Sequence, residues 1–353
     1  MNASVSQNVE HSIIVPVHNG RDTLERCVES IRKSASLSSY ELIIVDDAST
    51  DGTSELAARL GARVIRSEKQ RGPGAARNRG AGLAQGSLLV FVDADVLVQT
   101  DTLRRIEDLM RNEKGIAVVS CGFDPACEMT DALSRYKHLY MAHSFQGQPR
   151  DVYWAFSATM AVRASVFREV GGFDEEWRVL EDEMLGRKIS QKGYRVTFQG
   201  QLRVRHLRRY AFSDFSREEV RRSRALGRIR MADLLNGTGH AKDNVAPSVK
   251  FSLAFFPVIV AGLFSLPQTT GFVAFSLAAF YAANTFFLSM CRRYCGTGFM
   301  FRAAGILLLD CLLCWCGILA ALSDLVRSKG SAVRENVAER EGEKGAILSE
   351  ACP

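Results

Sequence analysis

Over its first hundred residues the chain alternates apolar runs with amphipathic stretches. "SIIVPV" (12–17) reads as a strand, Asp22–Lys33 as a helix, and "ELIIVDD" (41–47) as a second strand followed by a helix from about Thr53. "RVIRS" (63–67) is a short third strand and Pro73–Ala84 a helix. "SLLVFVDADVLV" (87–98) is a further strand, apolar at every position from Leu88 to Val92. Continuous apolar runs predict strands covered on both faces, and their alternation with helices predicts a doubly wound, parallel sheet. Such sheets bind ligands beyond the carboxyl ends of their strands. Polar residues gather at those ends: His18 and Asn19 after the first strand, Asp46 and Asp47 after the second, Asp93 and Asp95 after the fourth. Residues i and i+2 of a strand point to one side, so Asp93 and Asp95 are expected to face one ligand, a divalent cation with hard oxygen donors. The triplet alone says little, because 18 aspartates in 353 residues give about one Asp-x-Asp by chance.

Further along, the pattern changes. Phe251–Met290 is a run of forty residues without Asp, Glu, Lys, Arg or His. It is long enough for two membrane spans of about 20 residues each, divided at "LPQTTG" (266–271). A third run, Ala303–Leu322, is interrupted only by Asp310. The expected spans are about 251–266, 271–290 and 303–322. Arg292, Arg293 and Arg302 place the loop between the second and third runs, and with it the large N-terminal part, on the cytoplasmic side. Three spans would put the tail outside; Arg327, Lys329 and Arg334 favour two spans with a re-entrant or interfacial third. Ile13–Val17 is too short for the apolar part of a signal peptide, so none is expected. Asp310 has no assigned role, although an acid within a membrane is functional by default.

Composition adds a little to this. Nine cysteines form no secretory framework, and Cys311, Cys314 and Cys316 lie inside the third apolar run, where packing explains them. A net charge of +6 suits an anionic membrane surface or a phosphorylated substrate; no nucleic-acid-binding module is visible, so nucleic acid is not an expected partner.

Several segments carry candidate chemistry. In "DDASTDGT" (46–53), Asp51 and Gly52 form a turn ahead of a helix, and Asp46 reads as a capping or turn residue. "RGPGAARNRG" (71–80) resembles a phosphate loop without the Gly-Lys-Ser/Thr of an ATPase or the Gly-x-Gly-x-x-Gly of a dinucleotide fold. Its Arg77 could face phosphate or simply be surface charge. "VGGFDEEWRVLEDEMLGRKISQKGYRV" (170–196) joins a Gly-Gly turn to Glu181, Asp182 and Glu183 at the start of a helix, where acids also suit the helix dipole. "DFSREEVRRSRALGRIRMADLL" (214–235) can place Phe215, Leu226, Ile229 and Leu234 on one face amid arginines. That pattern belongs to an interfacial helix on anionic lipid, or to a solvated helix packed on its own domain.

In this order, "SIIVPVHNG", "ELIIVDDASTDGT", "RGPGAARNRGAGLAQGSLLVFVDAD", "VGGFDE" and the "ED" of 181–182 resemble a family 2 glycosyltransferase over about residues 11–210. The resemblance implies a GT-A fold (an α/β, doubly wound, mixed and mainly parallel sheet, here followed by C-terminal transmembrane helices). It also implies a nucleotide-diphospho-sugar donor, Mg²⁺ or Mn²⁺ at the Asp-x-Asp, and inversion at the anomeric carbon. Carried over by position, Pro16, His18 and Asn19 would lie along the nucleoside and Asp47 would meet the edge of a uracil-type base. Asp93 and Asp95 would hold the metal, Arg77 would stand near the nucleotide, and Asp182 would be the general base with Glu181 beside it. His206 matches a histidine near metal or diphosphate, although "VRHLRR" also fits a basic surface turn. The glutamine/arginine-rich motif ending in tryptophan that marks processive members is not found, which disfavours polymer extrusion.

These readings divide the chain into an N-terminal segment (1–10), a GT-A domain (11–212) and a basic amphipathic helix with linker (213–247). A membrane region (248–326) and a polar tail (327–353) follow. The expected function is transfer of one sugar, from a donor expected to be UDP-linked, to a lipid or lipid-linked acceptor at the inner membrane in cell-envelope synthesis. The alternative is a non-catalytic nucleotide-sugar-binding membrane partner of a glycan assembly complex. A sugar nucleotidyltransferase would need a glycine-rich N-terminal signature that this chain lacks.

Overall fold

The computed structural model describes residues 9–34, 39–236, 247–263 and 270–350. The described residues of 1–212 and 242–306 make one compact unit, and those of 213–241 and 307–353 a second. In chain order the elements are β1 (His11–Val17), α1 (Arg21–Ser34), β2 (Tyr40–Asp46), α2 (Thr53–Arg59), β3 (Arg63–Arg66) and α3 (Pro73–Leu83). Next come β4 (Leu88–Val92), β5 (Val96–Val98), α4 (Thr102–Asn112), β6 (Ile116–Phe123), α5 (Ala132–Ser144) and β7 (Asp151–Val152). Then follow β8 (Thr159–Arg163), α6 (Ala164–Glu169), α7 (Glu181–Gln191), β9 (Arg195–His206) and α8 (Phe212–Asn236). The last helices are α9 (Pro247–Leu263), α10 (Thr270–Ala283), α11 (Thr285–Cys295) and α12 (Thr297–Glu350).

The sheet order is β3-β2-β1-β4-β8-β6-β9-β5, with β7 on β9. The half built from β3, β2, β1 and β4 is parallel throughout, as the strand–helix alternation predicts. The other half is mixed: β8 runs antiparallel between β4 and β6, while β6 and β9 are parallel. Both faces of the central strands are covered. Leu24, Val28 and Ile31 of α1 and Leu103 and Ile106 of α4 join Ile13 and Val15 in one core cluster. Ala76 and Ala81 of α3, with Leu185 and Ile189 of α7, join Ile14, Leu89 and Phe91 in the other. Small residues let α3 lie close to the sheet: a Cβ on Gly80 would sit 2.5 Å from Ile14 Cγ2. Pro16 is tolerated inside a central strand because β4 pairs with β1 only through Ile14, so no neighbour on that side requires the missing N–H.

One local expectation changes. The 87–98 stretch is not a single strand: β4 ends at Val92, and Val96 N–H returns to the Asp93 carbonyl at 3.0 Å to form a turn before β5. Asp93 and Asp95 therefore share a rim through turn geometry, not through the two-residue period of a strand.

The apolar C-terminal runs also differ from expectation. Among the described residues, one helix is long and apolar enough to cross a membrane, Thr297–Arg327. The second expected span is broken, since Thr270–Ala283 and Thr285–Cys295 meet at 62°, and the first is represented by the short apolar helix Lys250–Gly262. Residues 264–269, which include the end of the first expected span, lie outside the described residues; among the described residues a multi-pass arrangement is not supported, since one unbroken helix reaches a bilayer's thickness. In the first unit, α11 packs on α5, with Phe287 edge-on to Tyr136 and Tyr140.

In the second unit α8 and α12 lie side by side. A Cβ on Gly317 would approach the Val220 carbonyl to 2.5 Å, Gly227 stands over Ala321, and Arg224 grips Asp324 with bonds of 2.8 and 2.6 Å. Phe215 and Ile229 of the expected apolar face are buried, while Leu234 is exposed. Asp310 is also buried, gathered with Glu219 and Cys314.

Candidate active site

The carboxyl ends of β1, β2 and β4 open on one rim, and the sequence furnishes it with loops that brace one another. Asn19 and Ala48 adopt left-handed backbone, at φ 51 and 62. That turn geometry lets Asn19 N–H reach Ser49 Oγ at 2.8 Å while its Oδ1 accepts from Thr50 N–H at 2.9 Å. His18 Nδ1 lies 2.8 Å from the Asp47 carbonyl, so that nitrogen carries the proton. The Asp47 carboxylate accepts from Arg71 N–H at 2.9 and 3.1 Å and from Gly72 N–H at 2.7 Å, which fixes the glycine-rich turn leading into α3. Asp46 is a turn residue as expected, accepting from Ser49 N–H at 2.8 Å and from Ser54 Oγ. Pro16 is buried within β1.

Arg77 organises the centre. It is 3% exposed, and its guanidinium donates to Asp93 Oδ1 at 2.6 Å and to Glu181 Oε1 at 2.7 Å, beneath Phe173. It is not surface charge: it ties the end of β4 to the start of α7. Desolvation works against its charge, but Asp93, Glu181 and Asp182 more than offset this and hold its pKa above the ordinary value.

The two acids at 181–182 have different surroundings. Glu181 is 6% exposed and bonded to Arg77; burial pushes its pKa up, as does Asp182, against the pull of Arg77. Asp182 is partly exposed, and its Oδ2 accepts from both Ser157 N–H at 2.8 Å and Ser157 Oγ at 3.0 Å. Leu180 adopts left-handed backbone (φ 61) just before these acids. Gly186 brings α7 against the 154–155 backbone, since a Cβ there would lie 2.1 Å from Ala155 N.

Asp93 and Asp95 each keep about 28% of their side chains exposed. Desolvation raises both pKa values; Arg77 opposes this at Asp93, where Asp95 adds to the rise, and Arg208 leads the opposition at Asp95. His206, at the end of β9, brings Nε2 within 3.5 Å of Asp95 Oδ1. Two partly exposed carboxylates, Asp93 with one oxygen on Arg77, and an imidazole have the donor chemistry for an Mg²⁺ or Mn²⁺ ion that keeps part of its shell for ligand oxygens. The three do not form a closed cage: among the described residues, the groups of three whose ligand atoms all lie within 4.8 Å of one another are Glu10/His11/Glu107 and Glu219/Asp310/Cys314.

Two residues around the site went unread in the sequence. Ser157 precedes β8, and only the antiparallel pairing of β8 with β4 shows that it faces the acidic helix. His138, on α5, packs edge-on to His206 at 5.4 Å between ring centres, and no local motif marks it.

Residues 12–171, just under half of the chain, match the family model described as "Glycosyl transferase family 2". A succinoglycan biosynthesis protein of Rhizobium meliloti is 37% identical over 98 residues, which is 27% of this chain and 28% of its own length. A glycosyltransferase of Haloferax volcanii is 27% identical over 205 residues, 53% of this chain and 63% of its own. The chain thus spans less than two thirds of the length of these curated relatives. A mannosyltransferase from Pyrobaculum calidifontis, solved in complex with GDP-Man and Mn²⁺, superposes with a TM-score of 0.55 at 19% identity. That alignment covers 89% of this chain and 88% of the other, a similarity of fold.

Proposed function

Residues 12–171 belong to glycosyl transferase family 2 in a GT-A fold, and on that premise we propose that the protein moves one sugar from a nucleotide-diphospho-sugar to a lipid or lipid-linked acceptor, with inversion, in cell-envelope synthesis. The observation that carries this reading is Arg77, which couples the Asp-x-Asp turn directly to the acidic start of α7. A metal-and-diphosphate end and a proton-accepting end thereby share one rigid frame. Among the relatives, the mannosyltransferase was solved with GDP-Man and Mn²⁺; for this chain we propose a UDP-linked donor.

Asp93 and Asp95, with His206, would hold Mg²⁺ or Mn²⁺, which as a Lewis acid supplies stabilisation for the charge that collects on a departing diphosphate. Inversion requires attack from the face opposite that group, so the acceptor hydroxyl must meet its base on another segment. Asp182 suits this role: it is partly exposed, and Ser157 orients its carboxylate with two bonds. Glu181, buried on Arg77, holds the frame instead. His18, Asn19, Asp47 and the 71–72 turn form the wall for the nucleoside, with Asp47 shaping that wall through the backbone groups it binds. The apolar helix Thr297–Arg327 supports attachment to the cell membrane, and Arg292, Arg293 and Arg302 favour a cytoplasmic active site. The domains at 11–212, 213–247 and 248–326 are part of the same proposal.

Calorimetric titration of the full chain with UDP- and GDP-sugars, with and without Mn²⁺, tests the donor site. Metal-dependent binding that disappears in Asp95→Ala is expected. Equal binding by both proteins, with and without metal, would remove the aspartates from metal and donor binding.

A further inference from the structure

β9 ends at His206, and residues 207–211 belong to no strand or helix, so no ladder fixes them. Their position depends on individual bonds. On one side Leu207 N–H donates to the Asp95 carbonyl at 2.7 Å. On the other, α5 offers two polar side chains one helical turn apart. Ser134 Oγ accepts from Tyr210 N–H at 2.8 Å, and His138 Nε2 lies 2.9 Å from the Arg208 carbonyl. The segment bearing His206 and Arg208 is therefore held between the Asp-x-Asp turn and α5.

The chemistry of the His138 contacts fixes its tautomer. A carbonyl only accepts, so Nε2 carries the proton. Nδ1 is then an acceptor, and the Cys127 thiol 3.0 Å away donates to it. The ring is 4% exposed and stands edge-on to both His206 and Tyr210. It thus has one defined donor, aimed at one carbonyl.

We infer that His138 is a positioning residue: its Nε2–H bond to the Arg208 carbonyl sets where His206 and Arg208 stand beside Asp95, and so how tightly the site takes a divalent cation with a nucleoside diphosphate. The inference rests on the proposed transferase activity and refines its metal and donor site. His138 touches neither ligand. Its effect passes through the backbone of 206–208, and it would be felt as affinity.

The test is Mn²⁺ binding to the full chain, read by electron paramagnetic resonance in the presence of UDP or GDP, for the wild type, Asp95→Ala and three variants at 138. His138→Ala should weaken Mn²⁺ binding with the better nucleotide at least tenfold. His138→Gln, whose amide N–H maps onto Nε2, should return it to within about threefold of the wild type. His138→Asn, whose amide maps onto Nδ1, should not. A purely structural role would lower the thermal midpoint in all three without separating Gln from Asn. Unchanged affinity in His138→Ala, or equal loss in Gln and Asn, overturns the inference while leaving the transferase reading intact. A wild type that binds no Mn²⁺ with either nucleotide, like Asp95→Ala, overturns that reading and the inference with it.

Discussion

Replacing Arg77 by Met keeps the volume of the stem and removes a buried charge that serves two carboxylates. The guanidinium bonds of 2.6 and 2.7 Å to Asp93 and Glu181 are both lost, and Glu181 stays enclosed without its counter-charge. Removing one partner of a buried pair costs about 3–5 kcal/mol. For a domain of this size each kcal/mol moves the thermal midpoint by about 2–4 °C, so the drop should be roughly 6–20 °C. The penalty should also depend on pH with a definite sign. Burial already raises the Glu181 pKa, with Asp182 adding and Arg77 opposing, and losing Arg77 raises it further. The folded variant then keeps a proton that the unfolded chain releases above about 4.3, so its stability falls as pH rises beyond that value. Thermal unfolding of wild type, Arg77→Met, Glu181→Gln and the double variant between pH 5 and 8 gives the coupling directly. The double variant should recover at least half of the loss at pH 7.5, since two neutral groups need no pairing. A single variant within about 2 °C of the wild type, or a double variant no better than the single one, would refute the bridge.

Gly186→Ala forces a methyl onto the Ala155 backbone, so it should cost about 1–3 kcal/mol by thermal unfolding and lower transfer by shifting Ser157; full stability would show that α7 does not pack as described. Ser157→Ala leaves its N–H on Asp182 but removes the hydroxyl, and transfer should fall roughly tenfold at unchanged donor affinity, within the worth of one bond to a charged group. His143 is buried against Phe286 and Phe287, and burial holds its pKa below the usual histidine value. The unfolded chain therefore takes up a proton there first, and stability should fall as pH drops below about 6.5. In His143→Gln the difference in midpoint between pH 7.5 and 5.5 should shrink, and an undiminished difference would assign the pH effect elsewhere.

Sequence alone reached the parallel half of the sheet, because apolar runs such as Ile13–Val15 and Leu88–Val92 record burial on both faces. It also reached the rim, since His18, Asn19, Asp47, Asp93 and Asp182 each follow a strand or open a helix. Contacts between segments distant in the chain were beyond its reach. The Arg77–Glu181 bond joins residues 104 apart, and nothing local shows that this arginine is buried. The break between α10 and α11 escaped for a similar reason: hydropathy counts apolar residues without registering a 62° bend at Asn284, whose amide is turned inward to Ser252 Oγ at 2.7 Å. Ser157 and His138 act through their partners, and those partners are visible only in the fold.

The central claim is tested most directly by product. The wild-type protein and Asp182→Asn are incubated with a panel of nucleotide sugars, Mn²⁺ and lipids extracted from the native membrane, and the lipids are weighed by mass spectrometry. A lipid heavier by one sugar residue is expected with the wild type, and no such product with Asp182→Asn although that variant still binds the donor. Equal product from both proteins, or none from the wild type with any donor, would contradict the claim.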